Sequence, residues 1–407
     1  MKTPARILII SSGNPCRNPR PMKEAETLGR AGFEVTLLTA SGPPELDGLD
    51  RELTAGAPYR HESVHMGRNR SMLFLRKFRH WLARHTVKYG METVLALGSV
   101  SPLARRAMAL PADLTIVHNE IPFWIGCQLL RRGRRVAADF EDWYSEDLLP
   151  EDRRHRPLTL LRKTEAELMR HAVYKSTTSA ALSHALAGRY GGDLPHVITN
   201  SFPLQPDPRT GPPGEPPAFF WFSQTLGPGR GLELFRAAWL RTTRPSRLVL
   251  LGEPSSNYHQ GFLSGLPADF RSRVSFLPLV PPAQLPALIA RHDIGLALEQ
   301  SFIVNRDLTI TNKILQYLNA GLAVVASDTA GQREVLARAP GAGLVVALGE
   351  TAEVAQQLDA LLADRPRLAS MCIAARRAAE DIFCWEKESP RLVAIVEAAL
   401  VTPCPLS

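Results

Sequence analysis

The stretch Thr309–Gly331, "TITNKILQYLNAGLAVVASDTAG", reads as a short helix, a tight glycine stop at Gly321, a wholly apolar strand and a small polar loop. A strand without polar alternation is what a sheet buried on both faces requires, so this unit predicts an α/β fold with parallel strands. A core helix and a buried strand need neither the Thr311-Asn312-Lys313 start nor the Ser327-Asp328 finish. The start has the features of an anion site. Thr311 is expected to cap the helix, leaving the N–H groups of Asn312 and Lys313 free, and Lys313 adds a full charge beside the positive end of the helix dipole. Gln316, one turn on, shares the face of Lys313 and offers an amide to hydroxyls such as those of a ribose.

The same grammar extends in both directions. Before the midpoint, strands are expected at Ile7–Ile10, Val35–Leu38, Leu114–Val117, Val136–Ala138, Ser176–Ser179 and Val197–Thr199, with helices such as Pro21–Ala31 and Leu160–Ala172 between them. After it they are expected at Phe219–Phe222, Leu248–Leu251, Val274–Leu277, Ile294–Leu298, Ala323–Ala326 and Leu344–Ala347, with helices at Gly231–Leu240 and Ala283–Arg291. Between the two sets lies "QPDPRTGPPGEPP", Gln205–Pro217, too rich in proline and glycine to continue a helix or a central strand. The division expected is a first domain over 1–204, a linker over 205–217, a second domain over 218–385 and a terminal helix and tail over 386–407. Both domains are expected to be doubly wound α/β sheets, with ligands outside the carboxyl ends of the strands.

The 407 residues suffice for two domains, and 45% hydrophobic with 22% charged residues is ordinary for a globular protein. Five scattered cysteines without CxxC spacing point to neither a disulfide framework nor a zinc site, so the expected location is a reducing cytoplasm. No segment has the apolar length of a signal peptide core or a membrane span. The net charge of +8 is unevenly placed: up to Leu204 there are 29 Lys and Arg against 21 Asp and Glu, and beyond it 19 of each. Ser63–Met91 contains no acid but seven basic residues, interleaved with Phe74, Phe78, Trp81 and several leucines. Residues 66–90 therefore have the composition of an interfacial helix on an anionic membrane leaflet, or of a solvated basic helix covering the domain. A neutral second half and the absence of a recognised motif argue against nucleic acid.

Neither GxGxxG nor GxxxxGK[ST] occurs, which disfavours dinucleotide and P-loop readings. In "SQTLGPGRGLELF" Gly227, Gly229 and Gly231 permit close backbone approach, and Arg230 among them is a candidate diphosphate clamp. Glu299 follows the apolar run Ile294–Leu298 and either caps a loop or faces a ligand. The loop after the first strand offers Gly13, Asn14 and the basic pair Arg17 and Arg20. His118 and Glu120 follow another apolar strand, and Asp139 and Glu141 a third.

"NKILQYLNAGLAVVASDTAGQREVL" resembles the donor-site segment of GT-B glycosyltransferases, close to glycosyltransferase family 4, with Asn312-Lys313, Tyr317, Gly321, Val324-Val325 and Ser327 in register. The resemblance extends over most of the chain. "FSQTLGPGRGLE" resembles the family's strand-loop, "LPHVITNSFPL" its interdomain segment, "DIFCWEKESPRLVAIVEAAL" its returning terminal helix, and "DLTIVHNE" with "RRVAADFEDWYSED" its acceptor-side strands. The chain departs in three features: Gln316 and Leu308 stand where the family has a pair of glutamates, Gln224 where it often has an arginine, and Ala323 where it has a proline. The resemblance implies two Rossmann-like domains facing a cleft, with a terminal helix crossing back to the first. It implies transfer of a sugar from a nucleotide-diphosphate donor without a metal or other cofactor, typically with retention, to an acceptor that in several members is a lipid-linked or cell-envelope glycan. Arg230, Lys313 and the N–H groups at Thr311 and Asn312 would then hold the diphosphate, with Gly229 and Gly231 beside it. Gln316 would hold the ribose, Glu299 a sugar hydroxyl, and Gly13, Asn14, Arg17, Asp139 and Glu141 the acceptor. For an inverting reaction a base would come from His118, Glu120 or Asp139. Two rivals are an epimerase on the same fold and a non-catalytic scaffold that binds a glycan or a partner.

Overall fold

The computed structural model describes residues 3–40, 42, 44–65, 70–255 and 257–403. The chain forms two compact units, one of Met1–Ile198 with Ser389–Ser407 and the other of Thr199–Glu388.

The first unit is built on seven parallel strands: β1 (Arg6–Ser11), β2 (Glu34–Ala40), β3 (Arg60–Val64), β4 (Leu114–His118), β5 (Val136–Phe140), β6 (Lys175–Thr177) and β7 (His196–Val197). Their order is β3-β2-β1-β4-β5-β6-β7, so the winding reverses between β1 and β4. β4 and β5 are buried along their whole length, as strands covered by helices on both faces must be. β3 was not expected. Its sequence, RHESV, has no apolar run because it is an outer strand, and none of its residues is fully buried.

The second unit repeats the plan with six parallel strands: β8 (Ala218–Leu226), β9 (Arg247–Pro254), β10 (Val274–Leu277), β11 (Ile294–Ala297), β12 (Ala323–Ser327) and β13 (Gly343–Val346). The order is β10-β9-β8-β11-β12-β13, with the reversal between β8 and β11. Successive residues of β8 feed opposite layers. Phe219 and Trp221 pack with Phe235, Trp239 and Leu296, whereas Phe220 packs with Ile314, Tyr317 and Val324.

The helix Asn312–Ala320 lies on β11, and its approach depends on Gly295, where a Cβ would stand 2.2 Å from the Tyr317 ring. Gly321 ends the helix with φ of 75°, as its sequence position implied. The proline-rich stretch 205–217 is tied to this unit through the Asp293 carboxylate. That carboxylate accepts from the Gly214 and Ala218 N–H groups (2.8 Å each) and from Arg209 (2.9 Å).

Candidate functional site

In the second unit three segments meet at the reversal between β8 and β11, where open α/β sheets present ligands. The chain after β11 carries Glu299, 4% exposed. The Gly-rich loop after β8 brings Arg230, whose Nη1 donates to Glu299 Oε1 (3.0 Å). The first turn of the Asn312–Ala320 helix brings Lys313, whose Nζ is 3.5 Å from the same oxygen and 5.3 Å from the centre of the buried Trp221 ring. Gly231 is the N-cap of the helix Leu232–Trp239, which fixes the end of the Arg230 loop.

Burial depresses the Lys313 ammonium most strongly; Glu299 opposes this, and the charges of Arg230 and Arg306 add to it. Arg306 was not singled out from sequence. Its side chain donates to the Gly229 carbonyl (2.9 Å), so it fixes the loop that presents Arg230.

The polar finish of β12 is structural. Ser327 Oγ accepts from the Glu299 N–H and from Gln332 Nε2, both at 2.8 Å, so it fixes the backbone that carries Glu299. Asp328 pairs with Arg333, and Thr329 caps the next helix. Thr311 differs from expectation: it occupies the N-cap position, but its hydroxyl makes no capping bond. That hydroxyl is buried without a partner, as are Gln316 Oε1 and Glu299 Oε2. Asn312 is exposed, and its Oδ1 accepts from Asn200 (2.9 Å). Three orphaned oxygens beside two converging cations are the mark of a site shaped for a polar, anionic ligand.

The first unit holds a different cluster. Register places His118 beside Asp139 and Asp139 beside Ser176 on neighbouring strands, hence on one face. The helix Pro19–Arg30 lays Arg20 and Glu24 over them, one turn apart. The guanidinium of Arg20 binds both Asp139 oxygens, and Ser176 adds a third bond (2.7 Å). His118 lies within 3.1 Å of Glu24 and of Asp139, and 2.9 Å from Glu141.

Burial opposes charge on His118, but the surrounding carboxylates raise its proton affinity well above the ordinary value. Arg20 and His118 likewise hold Asp139 low against the effect of its burial. This environment favours the protonated imidazole at His118, which speaks against the base considered above. Asp139 is fully buried and engaged. Glu24, His118 and Asp139 bring possible metal-ligand atoms within 4.8 Å of one another. Their positive neighbours are Arg20, Lys23 and the histidine when protonated.

The remaining first-unit candidates separate into two groups. Asn14 is buried, with its amide spent on Asp50 (2.6 Å) and on the Gly42 N–H (3.0 Å), so its side chain is not open to an acceptor. Glu141 is bound by His118 and by Asn18 (3.2 Å), and Glu120 is paired with Arg156. Gly13 and Arg17 are exposed. Asn119 joins the ends of β1 and β4: with φ of 58° it accepts from the Ser12 N–H (2.9 Å) and hydroxyl (2.8 Å).

The basic segment forms the helix Arg70–Val87, while residues 66–69 lie outside the described residues. It rests on the unit through Ala83 and through His80, which bonds the Leu95 carbonyl (2.8 Å). Outward it presents Phe74 (73% exposed), Phe78 and Trp81, with Leu75, Leu82, Lys77, Arg79 and Arg84.

Residues 217–364 match the family described as Glycosyl transferases group 1. The whole chain is similar in fold to sucrose-phosphate synthase from Thermosynechococcus elongatus (TM-score 0.70, 15% identity, covering 97% of this chain and 98% of that one). It is also similar to Anabaena HepE solved with UDP and glucose (TM-score 0.68, 18% identity, 97% and 100%). A third likeness is to the lipopolysaccharide outer core galactosyltransferase WaaB (TM-score 0.62, 12% identity, 97% and 99%). No curated protein matches the chain in sequence. The fold these findings show is GT-B. The match to Glycosyl transferases group 1 falls within the second unit.

Proposed function

We propose that the protein transfers a sugar from a nucleotide-diphosphate donor, held by the second unit, to a hydroxyl of a cell-envelope or lipid-linked glycan. The observation that carries this reading is the convergence of Arg230 and Lys313 on one point beside orphaned Thr311, Gln316 and Glu299 oxygens. That HepE was solved with UDP-glucose, at the same fold, supports the donor class. As the bond between the sugar and the diphosphate breaks, negative charge gathers on the leaving phosphate. Two fixed cations and a helix N-terminus stabilise that charge more than they stabilise the bound donor. The reaction is metal-independent and retaining in this proposal, with the acceptor's proton passing to the departing phosphate. The carboxylates around His118, which favour its protonated form, support a course that asks no base of the first unit.

The exposed aromatic and basic face of the Arg70–Val87 helix supports docking at an anionic membrane surface, which would bring the enzyme to such acceptors. Calorimetric titration with UDP- and GDP-sugars tests the donor reading. Binding of one of them, abolished in a Lys313→Ala, Arg230→Ala double variant, is the expected result; no binding of any nucleotide sugar would favour a scaffold.

A further inference from the structure

Glu299 does not behave as a side chain merely waiting for a sugar. It is 4% exposed, yet one oxygen is shared by two cations and the other has no partner. Its backbone is fixed by Ser327, which is itself fixed by Gln332, so the carboxylate has little freedom to follow either cation. Lys313 is faced by Arg230, Arg306, Glu299 and the Trp221 ring. Among these charged neighbours Glu299 supplies the negative charge. Without it, a largely buried ammonium would sit beside two guanidinium groups, and like charges at close range in a poorly hydrated site drive one group to give up its proton.

We infer that Glu299 is a positioning residue: it serves as the internal counter-ion of Arg230 and Lys313, holding both cations at the place of the diphosphate until the donor's phosphates take them over. The inference rests on the donor reading for what arrives, but the counter-ion role stands on the contacts of Glu299 with Arg230 and Lys313. When the phosphates displace it, Oε1 is released and joins Oε2 as an acceptor for hydroxyls. Glu299 thus keeps the lysine charged before binding and competes weakly with the anion that binds.

Two measurements on the full chain test this. In the first, lysines are methylated with carbon-13, and the Lys313 resonance, assigned with Lys313→Arg, is titrated without ligand. In Glu299→Gln its midpoint should fall by about one pH unit or more, and Glu299→Asp should recover most of the loss. A role confined to stability would lower the melting temperature and leave the Lys313 midpoint where it was, which would overturn the counter-ion role. In the second, inorganic pyrophosphate and UDP are titrated calorimetrically at pH 6. Glu299→Gln should bind pyrophosphate about tenfold more tightly, a gain of about 1.4 kcal/mol, and should lose that binding at a lower pH than the wild type. An unchanged affinity would overturn the hand-over. If the wild type bound neither probe, the donor reading would fail, while the lysine titration would still decide the role of Glu299.

Discussion

Lys313 and Gln316 share a helix face but answer to different parts of the proposed donor, so their substitutions should separate. Removing a fixed cation from a developing phosphate charge costs about 3–4 kcal/mol, so Lys313→Ala should lower kcat by about 100- to 1,000-fold in a donor-saturated assay. Gln316 contributes one neutral hydrogen bond, worth about 1 kcal/mol. Gln316→Ala should raise the donor Kd about fivefold in calorimetry and leave kcat nearly unchanged. In the first unit, His118→Gln removes the cation that touches all three carboxylates and leaves Arg20 and Lys23 to face them, and breaking a buried charge pair costs about 3–5 kcal/mol. The folded proton affinity of His118 lies above its unfolded value of 6.5. Its contribution is therefore complete below about pH 6.5 and fades as pH rises through the folded value. Urea unfolding should show the gap between wild type and His118→Gln narrowing toward alkaline pH.

The helix Arg70–Val87 presents Phe74, Phe78 and Trp81 along one line, with basic residues between and beside them. Replacing Lys77, Arg79 and Arg84 with Gln should release the protein from anionic vesicles, read by co-sedimentation, and added salt should do the same to the wild type. Binding that is indifferent to both would dismiss the membrane reading. Elements of this kind show how far the sequence could be read. Strands whose residues are buried on both faces advertise themselves as apolar runs, and all twelve expected ones lie in or overlap observed strands, or adjoin them. β3 has no such run and was invisible. Arg230, Lys313 and Glu299 were legible because each stands at a strand or helix end that opens on the sheet reversal. Arg20 was read only as part of a polar loop and Glu24 was not read at all, because an i,i+4 charge pair on an amphipathic helix looks like a solvated face. Only the register of β4 against β5 turns that face inward onto His118 and Asp139.

For the molecule as a whole, two similar sheets carry different electrostatic designs. The second unit gathers two cations around one carboxylate at its sheet reversal, whereas the first encloses Arg20, Glu24, His118 and Asp139 in full burial, with Glu24 Oε1 and His118 Nε2 also lacking hydrogen-bond partners. A ligand that completes the second unit should therefore stabilise it by mass action. A nucleotide sugar at 100 times its Kd should add about 2.7 kcal/mol, seen in scanning calorimetry as a rise in one transition. The enclosed cluster of the first unit has a consequence for heat rather than for catalysis. Between pH 6.5 and the higher folded value, the unfolded His118 is mostly neutral while the folded one favours its proton, so unfolding there should release a proton into the buffer. Unfolding enthalpies measured in phosphate and in Tris at the same pH should differ by the difference in the two buffers' ionisation heats. In His118→Gln that difference should shrink by one proton's worth.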